Sequence, residues 1–323
     1  MSILVLNKGW LATVQDLGRP GYAQYGINRS GAMDPLALQV GNFLVGNAGS
    51  VAALEMCFPA ASLLFLEPTF MVLAGGDFGA SIGGKKITPY RPVWVAAGTE
   101  LHFQHKYWGQ NAYLCVQGGF DLEPWLNSKS TNLKAAQGGW QGRSLQKGAV
   151  LPFKKRELVA TKETRIASYY ADLAPFYDSN VIRFIPGQHF EVLTKPSQVQ
   201  LQTQNWHITP ASDRMGYRLE GETLKLVREE SLLSAGLSRG SIQLPPNGQP
   251  IVLMADHQTT GGYPILGQVI QADWPKLAQK GPGQRFQFQP TTLEYAAHAL
   301  QRQLKGVNQI RWAASWALGT MKK

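Results

Sequence analysis

Residues 240–264, GSIQLPPNGQPIVLMADHQTTGGYP, combine two short apolar segments with a polar, glycine-rich loop. Residues 241–244 alternate between polar and apolar side chains, and residues 251–254 form an apolar run of the length typical of a buried strand. The Pro-Pro-Asn-Gly sequence between them favours a tight reversal, because proline presets φ and Asn-Gly accepts positive φ. This stretch therefore predicts two short strands joined by a turn.

A row of polar side chains follows the second predicted strand, and two glycines follow that row. Polar groups at the end of a buried strand are held on a rigid base, and glycine lets the backbone approach a ligand closely. We therefore predict that Asp256 and His257 carry protons. The predicted substrate-binding residues in this loop are Gln258, Thr259, Thr260 and Tyr263. The alternative is a turn whose polar side chains only satisfy the backbone.

Length and composition favour a protein of two β-rich domains. The chain has 323 residues, which is long for one core, and 44% of them are hydrophobic. Only 16% are charged, whereas glycine (34) and proline (19) are plentiful, as expected for short strands and turns. The net charge of +10 is spread along the chain without a nucleic-acid-binding motif, so we expect no nucleic-acid partner.

The two cysteines, Cys57 and Cys115, stand far apart without a CxxC motif or a histidine at ligand spacing. We therefore expect neither a disulfide framework nor a metal site. The first residues contain no apolar stretch of signal-peptide length, and no later stretch reaches membrane-spanning length. These observations predict a cytoplasmic protein with no membrane association.

The first residues predict two strands, 3–6 and 11–15, around a turn at residues 7–9. They lead into a glycine-containing loop, DLGRPGY, that starts at Asp16. Arg19 in this loop is suited to holding a carboxylate or phosphate, although it is equally suited to a structural pair with Asp16. Further on, Asp34 and Pro35 have the residue types of an N-cap and a first helical position, so they predict a helix that ends near residues 46–47.

Residues 51–153 show short apolar runs separated by glycine turns, which is the pattern of a barrel or sandwich. Within them, GASIGGKK at residues 79–86 nearly matches a phosphate-binding loop. Lys86 stands where that loop requires serine or threonine, and Pro89 would break the helix that should follow. We therefore predict a hairpin there. The polar loop at residues 128–143 is long enough to indicate a functional or mobile segment.

The second half begins where the pattern weakens, and we predict domains at residues 1–178 and 179–323. The loop SDRMGYR at residues 212–218 is similar to the loop at Asp16, which is what a duplicated domain would show. Asp213 is a candidate proton carrier, and Arg214 and Arg218 are candidate anion ligands. A last helix is predicted at residues 293–305. We expect Trp312 and Trp316, four residues apart, to dock the tail.

Several motifs occur in the order found in one protein family. They are TVQDLGRPGY (13–22), SGAMD (30–34), LVGN (44–47), GGWQGRSL (138–145), SDRMGYRLEG (212–221) and ADHQTTGGYP (255–264). With these motifs the chain resembles the biotin-dependent carboxyltransferase / allophanate hydrolase subunit 2 family, also called the KipA family. The resemblance implies a mainly β protein of two cyclophilin-like β-barrel domains with a few short helices. It places Ser30, with Asp16 and Arg19, among the expected substrate-binding residues.

The resemblance implies the C component of an ATP-dependent 5-oxoprolinase, a hydrolase that opens the cyclic amide of 5-oxo-L-proline to give L-glutamate. The implied partners are a KipI-like B component and a lactam-hydrolysing A component, so we expect the chain alone to be inactive. ATP would bind at an unrecognised site here or on another component. The alternatives are a component of a biotin-dependent carboxyltransferase, with biotin supplied from elsewhere, and a regulator that binds a kinase inhibitor.

Overall fold

A computed structural model describes residues 1–154, 163–228 and 232–320 of the chain. The chain forms two compact units. The first comprises Met1–Arg19, Ser30–Leu173 and Lys305–Lys323, and the second comprises Pro20–Arg29 and Ala174–Leu304. In the structure the main division falls between Leu173 and Ala174, and the predicted domains at residues 1–178 and 179–323 stay a prediction. The structure assigns residues 20–29 to the second unit and the C-terminal segment to the first. Each unit is therefore made of more than one segment of the chain, whereas a single domain boundary gives each domain one segment.

The first unit is built on two six-stranded sheets. The strands are β1 (Ser2–Asn7), β2 (Leu11–Gln15), β3 (Ala53–Cys57), β4 (Ser62–Phe65), β5 (Thr69–Asp77), β6 (Ala80–Ile82), β7 (Lys85–Lys86), β8 (Val93–Val95), β9 (Thr99–Phe103), β10 (Trp108–Val116), β11 (Val150–Pro152) and β12 (Arg165–Ile166). One sheet has the order β11-β1-β4-β9-β6-β7 and the other has the order β12-β8-β5-β10-β3-β2. The predicted hairpin in residues 79–86 is confirmed as β6 and β7.

The two predicted N-terminal strands are present, but they lie in different sheets. Strand β1 pairs with β4 and β11, whereas β2 pairs with β3. The chain passes from one sheet to the other at Gly9, which has φ +63° and lies so close to residue 59 that a Cβ atom would be 2.4 Å from the carbonyl oxygen of Pro59. A side chain at this position would therefore disturb the crossing.

The core of the first unit takes side chains from both sheets. Alternate residues of β1, Ile3 and Val5, are buried, and they join a cluster with Leu63 of β4, Leu73 of β5 and Leu114 of β10. A strand exposes alternate residues to its two faces, so each sheet contributes one face to this cluster.

The predicted first helix is confirmed as α1 (Pro35–Leu44). The Asp34 side chain accepts a hydrogen bond from the amide of Ala37 at 3.0 Å, and Pro35 occupies the first turn. These are the features by which Asp-Pro starts a helix. Gly41 of this helix lies against β5 and β10, where an added Cβ would be 2.7 Å from the sulfur of Cys115.

The second unit is a closed barrel. Its strands are β13 (Val181–Pro186), β14 (Trp206–Ile208), β15 (Gly216–Glu220), β17 (Ser241–Gln243), β18 (Ile251–Leu253), β20 (Ile265–Val269) and β21 (Arg285–Pro290), in the order β13-β20-β17-β18-β15-β14-β21. Strands β16 (Ala235–Gly236) and β19 (Thr260–Gly261) form a separate two-stranded ribbon. The predicted strands in residues 240–264 are therefore confirmed as β17 and β18, which pair with each other.

Short helices accompany the barrel, and buried aromatic side chains are prominent in the core of this unit. The helices are α2 (Ala174–Tyr177), α3 (Lys195–Thr203) and α4 (Trp274–Ala278), with 3-10 turns at Ala23–Tyr25, Phe190–Val192 and Gln271–Asp273. Phe184, Trp206, Phe286 and Phe288 are fully buried, and the Phe286 and Phe288 rings pack edge to face with centroids 5.0 Å apart. The mainly β prediction with two barrel-like domains is confirmed.

The final helix, α5 (Leu293–Thr320), is longer than the predicted 293–305. Ala299 packs with Ile270 and Ala272 in the second unit, while Val307 and Ala314 are buried side chains in the part of α5 that belongs to the first. The prediction that Trp312 and Trp316 dock the tail is wrong, because their side chains are 69% and 75% exposed. No helix among the described residues is both long and apolar enough to cross a membrane.

Candidate functional site

A pocket of about 620 Å³ opens on the barrel of the second unit. Its walls include residues of strands β15, β17 and β18 and of the loops that were predicted to carry the site. Asp213 and Arg218 contribute from one of those loops and the strand after it, and Gln258 and Tyr263 contribute from the other. The pocket thus brings together four predicted residues that are far apart in the sequence, whereas Arg214, Asp256 and His257 are not among the residues that line it.

Asp213 shapes the loop before β15. Its Oδ1 atom accepts hydrogen bonds from the amides of Met215 at 2.8 Å and Gly216 at 3.2 Å. An aspartate that accepts from the amide two residues later stabilises a turn of its own backbone. Gly216 leads into β15 at a crowded point, since an added Cβ would be 2.8 Å from the Ile251 side chain. The carboxylate predicted to carry protons is therefore engaged in holding the turn, and its catalytic role stays a prediction.

Arg214 and Asp256 form a two-point ion pair. The Arg214 Nε atom donates to Asp256 Oδ2 at 2.8 Å, and Nη2 donates to Oδ1 at 3.1 Å. The side chains are 8% and 11% exposed, and the amide of Asp256 donates to the carbonyl of Arg214 at 2.7 Å. The predicted anion ligand and the predicted proton carrier thus bind each other. This contact braces the two loops, and their roles toward substrate stay predictions.

His257 is buried, with 7% of its surface exposed. Its Nδ1 atom lies 2.6 Å from the carbonyl oxygen of Gln258, which makes Nδ1 the donor and leaves Nε2 as an acceptor when the ring is neutral. Burial lowers the pKa of His257 below its ordinary value, and the positive charge of Arg239 lowers the pKa further, against opposing effects of Gln258 and Asp256. A neutral imidazole near neutral pH is the form that can accept a proton.

The remaining predicted residues of this unit divide into two groups. Arg218, Gln258 and Tyr263 line the pocket, and each is exposed. Thr259 and Thr260 do not line it. The Thr259 carbonyl accepts a hydrogen bond from the Leu237 amide at 2.8 Å, and Thr260 lies in β19, so both help to form the β16–β19 ribbon.

A second cluster of predicted residues lies in the first unit and is centred on Asp16. Its Oδ1 atom accepts from the Gly18 amide at 2.7 Å and from the hydroxyls of Ser128 and Ser130 at 2.7 and 2.5 Å. Its Oδ2 atom accepts from the Lys129 amide at 2.6 Å. With these bonds Asp16 fastens the start of the loop at residues 128–143.

Arg19 and Ser30 bind the same loop. Arg19 is 1% exposed; its Nη2 donates to the carbonyl oxygen of Ser130, and its guanidinium lies 4.6 Å from the ring centroid of Trp125. The Ser30 hydroxyl donates to the carbonyl oxygen of Thr131 at 3.2 Å. All three predicted residues of this unit therefore contact the buried first residues of the loop at residues 128–143, and their substrate-binding role stays a prediction.

Several polar residues that line the pocket were not predicted from the sequence, among them Thr209, Glu220 and Gln243. Gln243 had a visible signal, because it is a polar residue between Ile242 and Leu244 in a predicted strand. It is 2% exposed. A polar side chain buried in a strand needs a hydrogen-bond partner. A search for the partner of Gln243 would therefore have marked it as a candidate site residue.

Two features of the chain concern cofactor sites. Among the described residues, no group of three or more His, Cys, Asp or Glu side chains is arranged to hold a metal ion. The glycine-rich segment at residues 79–86 is a β-hairpin, and the next regular element is strand β8 rather than a helix. A phosphate-binding loop of the Walker type is followed by a helix. This segment therefore does not fit the phosphates of ATP.

Comparison with known proteins gives consistent matches over nearly the whole chain. The family described as "Carboxyltransferase domain, subdomain A and B" matches residues 25–290. The chain is 39% identical over 300 residues to the C component of the 5-oxoprolinase of Haemophilus influenzae, with 93% of this chain and 94% of the relative covered. It is 37% identical over 308 residues to the C component of the 5-oxoprolinase of Escherichia coli, with 95% and 97% covered.

A solved structure shares the fold. The crystal structure of the K. lactis urea amidolyase matches 96% of this chain with a TM-score of 0.87 at 26% sequence identity. The match covers only 20% of that much longer chain. The extent of the family match and the identity to relatives of the same length lead to one conclusion. The chain belongs to the carboxyltransferase domain family, subdomain A and B.

Proposed function

We propose that this chain is the C component of an ATP-dependent 5-oxoprolinase, which opens the lactam of 5-oxo-L-proline to give L-glutamate together with the A and B components. The observation that carries the proposal is the end-to-end alignment with two relatives of that name, in which at least 93% of each chain is covered. The expected location is the cytoplasm.

The chemistry agrees with a role in a complex. A lactam carbonyl is a poor electrophile, so ring opening by water at a useful rate requires activation, which ATP supplies by phosphorylation. Because the glycine-rich segment of this chain is a hairpin, we assign no ATP contact to it and expect ATP to bind elsewhere in the complex. The pocket of the second unit supplies a cationic side chain, Arg218, and amide donors suited to the carboxylate and carbonyl of the substrate.

The test is reconstitution from purified components. The A and B components are incubated with 5-oxo-L-proline and ATP, with and without this chain, and released glutamate is measured. We expect glutamate only when all three are present and no turnover by this chain alone. Equal rates from A and B with and without the chain would contradict the proposal, and so would ATP-dependent glutamate release by the single chain.

A second candidate is a component of a biotin-dependent carboxyltransferase, because the fold matches the K. lactis urea amidolyase with a TM-score of 0.87. In this role biotin would arrive on another protein. The two candidates are separated by supplying a carboxylated biotin carrier and urea, with labelled carboxyl groups. Transfer of label to urea in the presence of this chain would favour the carboxyltransferase, whereas glutamate release in the first assay favours the oxoprolinase.

A third candidate, a regulator that binds a kinase inhibitor, predicts binding to a KipI-like protein without turnover of either substrate. Binding alone does not separate the regulator from the oxoprolinase component, since the B component is also KipI-like. The glutamate assay separates them, because only the oxoprolinase component supports release of glutamate.

A further inference from the structure

Two aromatic side chains of the first unit are largely exposed. Trp10 is 78% exposed and Tyr107 is 61% exposed. Trp10 precedes β2 and Tyr107 precedes β10, and both strands belong to the same sheet. Exposed side chains contribute little to the stability of the chain that carries them, whereas tryptophan and tyrosine are enriched among the residues that dominate protein interfaces. These two residues therefore mark a candidate contact surface.

A series of contacts connects these two aromatic residues. The Trp10 amide donates to the carbonyl oxygen of Pro59 at 2.7 Å. The ring of Phe58 packs edge to face on Phe78, with centroids 5.6 Å apart. An ideal Cβ atom on the glycine that follows Phe78 would be 2.9 Å from a ring carbon of Tyr107. Trp10 and Tyr107 therefore lie on neighbouring parts of the surface of the first unit.

Exposed lysines accompany the aromatic residues. Lys8 and Lys106 are within two residues of them in the chain, and the Lys86 ammonium lies 5.4 Å from the ring centroid of Tyr107. Lys85 is exposed beside Lys86 in the hairpin of β6 and β7. None of the four lysines forms an ion pair with a residue in the described ranges. We define the aromatic–lysine surface as Lys8, Trp10, Lys85, Lys86, Lys106 and Tyr107.

Two acidic residues are close to the aromatic–lysine surface, and both are engaged within the chain. The Asp77 carboxylate accepts a hydrogen bond from the amide of Gly79 at 2.9 Å. Glu100 Oε2 lies 2.7 Å from Nε2 of His102. Neither carboxylate forms an ion pair with a lysine of this surface. The surface therefore combines apolar rings with a positive charge.

This charge selects among the possible occupants. A second copy of the chain, in a two-fold symmetric contact, would bring lysines close to lysines, which is unfavourable. A partner protein with carboxylates around an apolar site would satisfy both the rings and the lysines. The relatives that match the chain from end to end are each named as one component of an oxoprolinase, which favours a protein over a lipid surface.

We infer that the aromatic–lysine surface binds the KipI-like B component, at a face of that component where carboxylates surround an apolar site. Trp10 and Tyr107 are the apolar anchors, and the lysines pair with the carboxylates. The identity of the partner rests on the proposed function, although the regulator considered above would also bind a KipI-like protein. The chemistry of the partner's face rests on the exposed rings and the unpaired lysines.

Calorimetry with the purified full chain and the purified B component tests the inference. We expect Trp10→Gln to weaken binding by tenfold or more. The double variant Lys85→Glu with Lys86→Glu should also weaken binding by tenfold or more at about 0.05 M salt, and by less at about 0.5 M salt, because salt screens exposed charges. No binding of the unaltered chain to the B component, or unchanged binding in both variants, would overturn the inference.

Matched controls lie elsewhere on the first unit. Trp312→Gln changes a tryptophan that is 69% exposed on α5. Lys147→Glu with Lys154→Glu changes two exposed lysines that flank β11, at the opposite edge of the sheet from β7. Both controls should bind the B component as the unaltered chain does. Loss of binding in Trp312→Gln, with Trp10→Gln unaffected, would place the partner on α5 and overturn the inference.

The melting temperature separates contact from folding. All the changed side chains are exposed, so each variant should melt at the temperature of the unaltered chain. If Trp10→Gln and the Lys85–Lys86 double variant lose binding only in proportion to lost folded protein, these residues are structural and the inference is wrong.

Two further measurements test the other occupants. One is binding of the chain to phosphatidylglycerol vesicles, and the other is sedimentation of the chain alone. If the surface variants lose vesicle binding or self-association but keep their affinity for the B component, the surface has another occupant and the inference is wrong.

The glutamate assay separates this inference from the proposed function. It is run with the components at concentrations near the Kd of the unaltered chain for the B component. If Trp10→Gln supports glutamate release at the rate of the unaltered chain, the surface inference is wrong and the proposed function stands. If binding of the B component depends on the surface but the three components release no glutamate, the proposed function is wrong and the surface inference stands.

Discussion

The guanidinium of Arg214 holds the carboxylate of Asp256 at two points, with N–O distances of 2.8 and 3.1 Å, and this pair joins the loop before β15 to the loop after β18. The Asn28 side chain adds to the joint by donating to the Asp256 carbonyl at 2.9 Å. Both loops border the pocket. The pair does not line the pocket itself, but it links the two loops that do.

Replacement of Arg214 by alanine is expected to lower the free energy of unfolding by about 3 kcal/mol, because it leaves the nearly buried Asp256 carboxylate without its cation. Chemical denaturation measures this. Arg285→Ala, which removes an exposed arginine of the same unit, is the control and should change stability by less than about 0.5 kcal/mol. Full stability in Arg214→Ala together with a tenfold loss of activity in the complex would contradict the bracing role and favour direct contact with substrate.

Asp16 is expected to be the main anchor of the loop at residues 128–143. Its carboxylate accepts four hydrogen bonds, two of them from the hydroxyls of Ser128 and Ser130. Asp16→Ala should therefore cost about 3 kcal/mol of unfolding free energy, since several donors lose a charged acceptor together. Asp121→Ala, at an exposed position, is the control. A cost for Asp16→Ala no larger than that of the control would show that the loop is held by other contacts.

Local chemistry made part of the fold predictable from the sequence. Asp34 and Pro35 start α1 because an N-cap acceptor and a preset φ act within a few residues. The hairpin at residues 79–86 turns at Gly83 and Gly84, both of which have positive φ in the structure. Such signals lie in the residues that adopt the structure, so no knowledge of distant contacts is needed.

Other features depend on distant contacts. Arg214 and Asp256 are apart in the sequence, and their pairing follows from the antiparallel alignment of β15 with β18. The same holds for Gln243, whose environment is set by neighbouring strands and by Gly261. Helix α5 runs past the predicted end at residue 305 to Thr320, and Gly306 lies inside it. A single glycine weakens a helix by only about 1 kcal/mol.

Stability should depend on the protonation of His257. Burial lowers the pKa of His257 in the folded chain below its ordinary value. As the pH falls below about 6.5, the unfolded state takes up a proton that the folded state does not, so folding stability falls by at most about 1.4 kcal/mol per pH unit from this group. His257→Gln should therefore lose less stability between about pH 7.5 and pH 5.5 than the unaltered chain. His207→Gln, at an exposed histidine, should lose as much as the unaltered chain. Equal losses in all three proteins would show that His257 titrates normally.

The exposed tryptophans of α5 give a prediction for the fold itself. Trp312 and Trp316 are 69% and 75% exposed, while Trp206 is fully buried in the barrel unit. Exposed apolar side chains contribute little to folding, so Trp312→Gln with Trp316→Gln should change the free energy of unfolding by less than about 0.5 kcal/mol. The double variant should also lose a large part of the fluorescence that iodide quenches.

Trp206→Phe is the contrasting variant for this pair. It should destabilise the chain by about 1 kcal/mol or more, because it removes buried ring atoms and the hydrogen bond from the indole to the Leu201 carbonyl, which is 3.1 Å long. Chemical denaturation measures the free energy of unfolding of the double variant and of Trp206→Phe. Iodide quenching measures the exposed tryptophan fluorescence of each. Strong destabilisation by the double variant, with its quenchable fluorescence unchanged, would mean that Trp312 and Trp316 are packed against the chain after all.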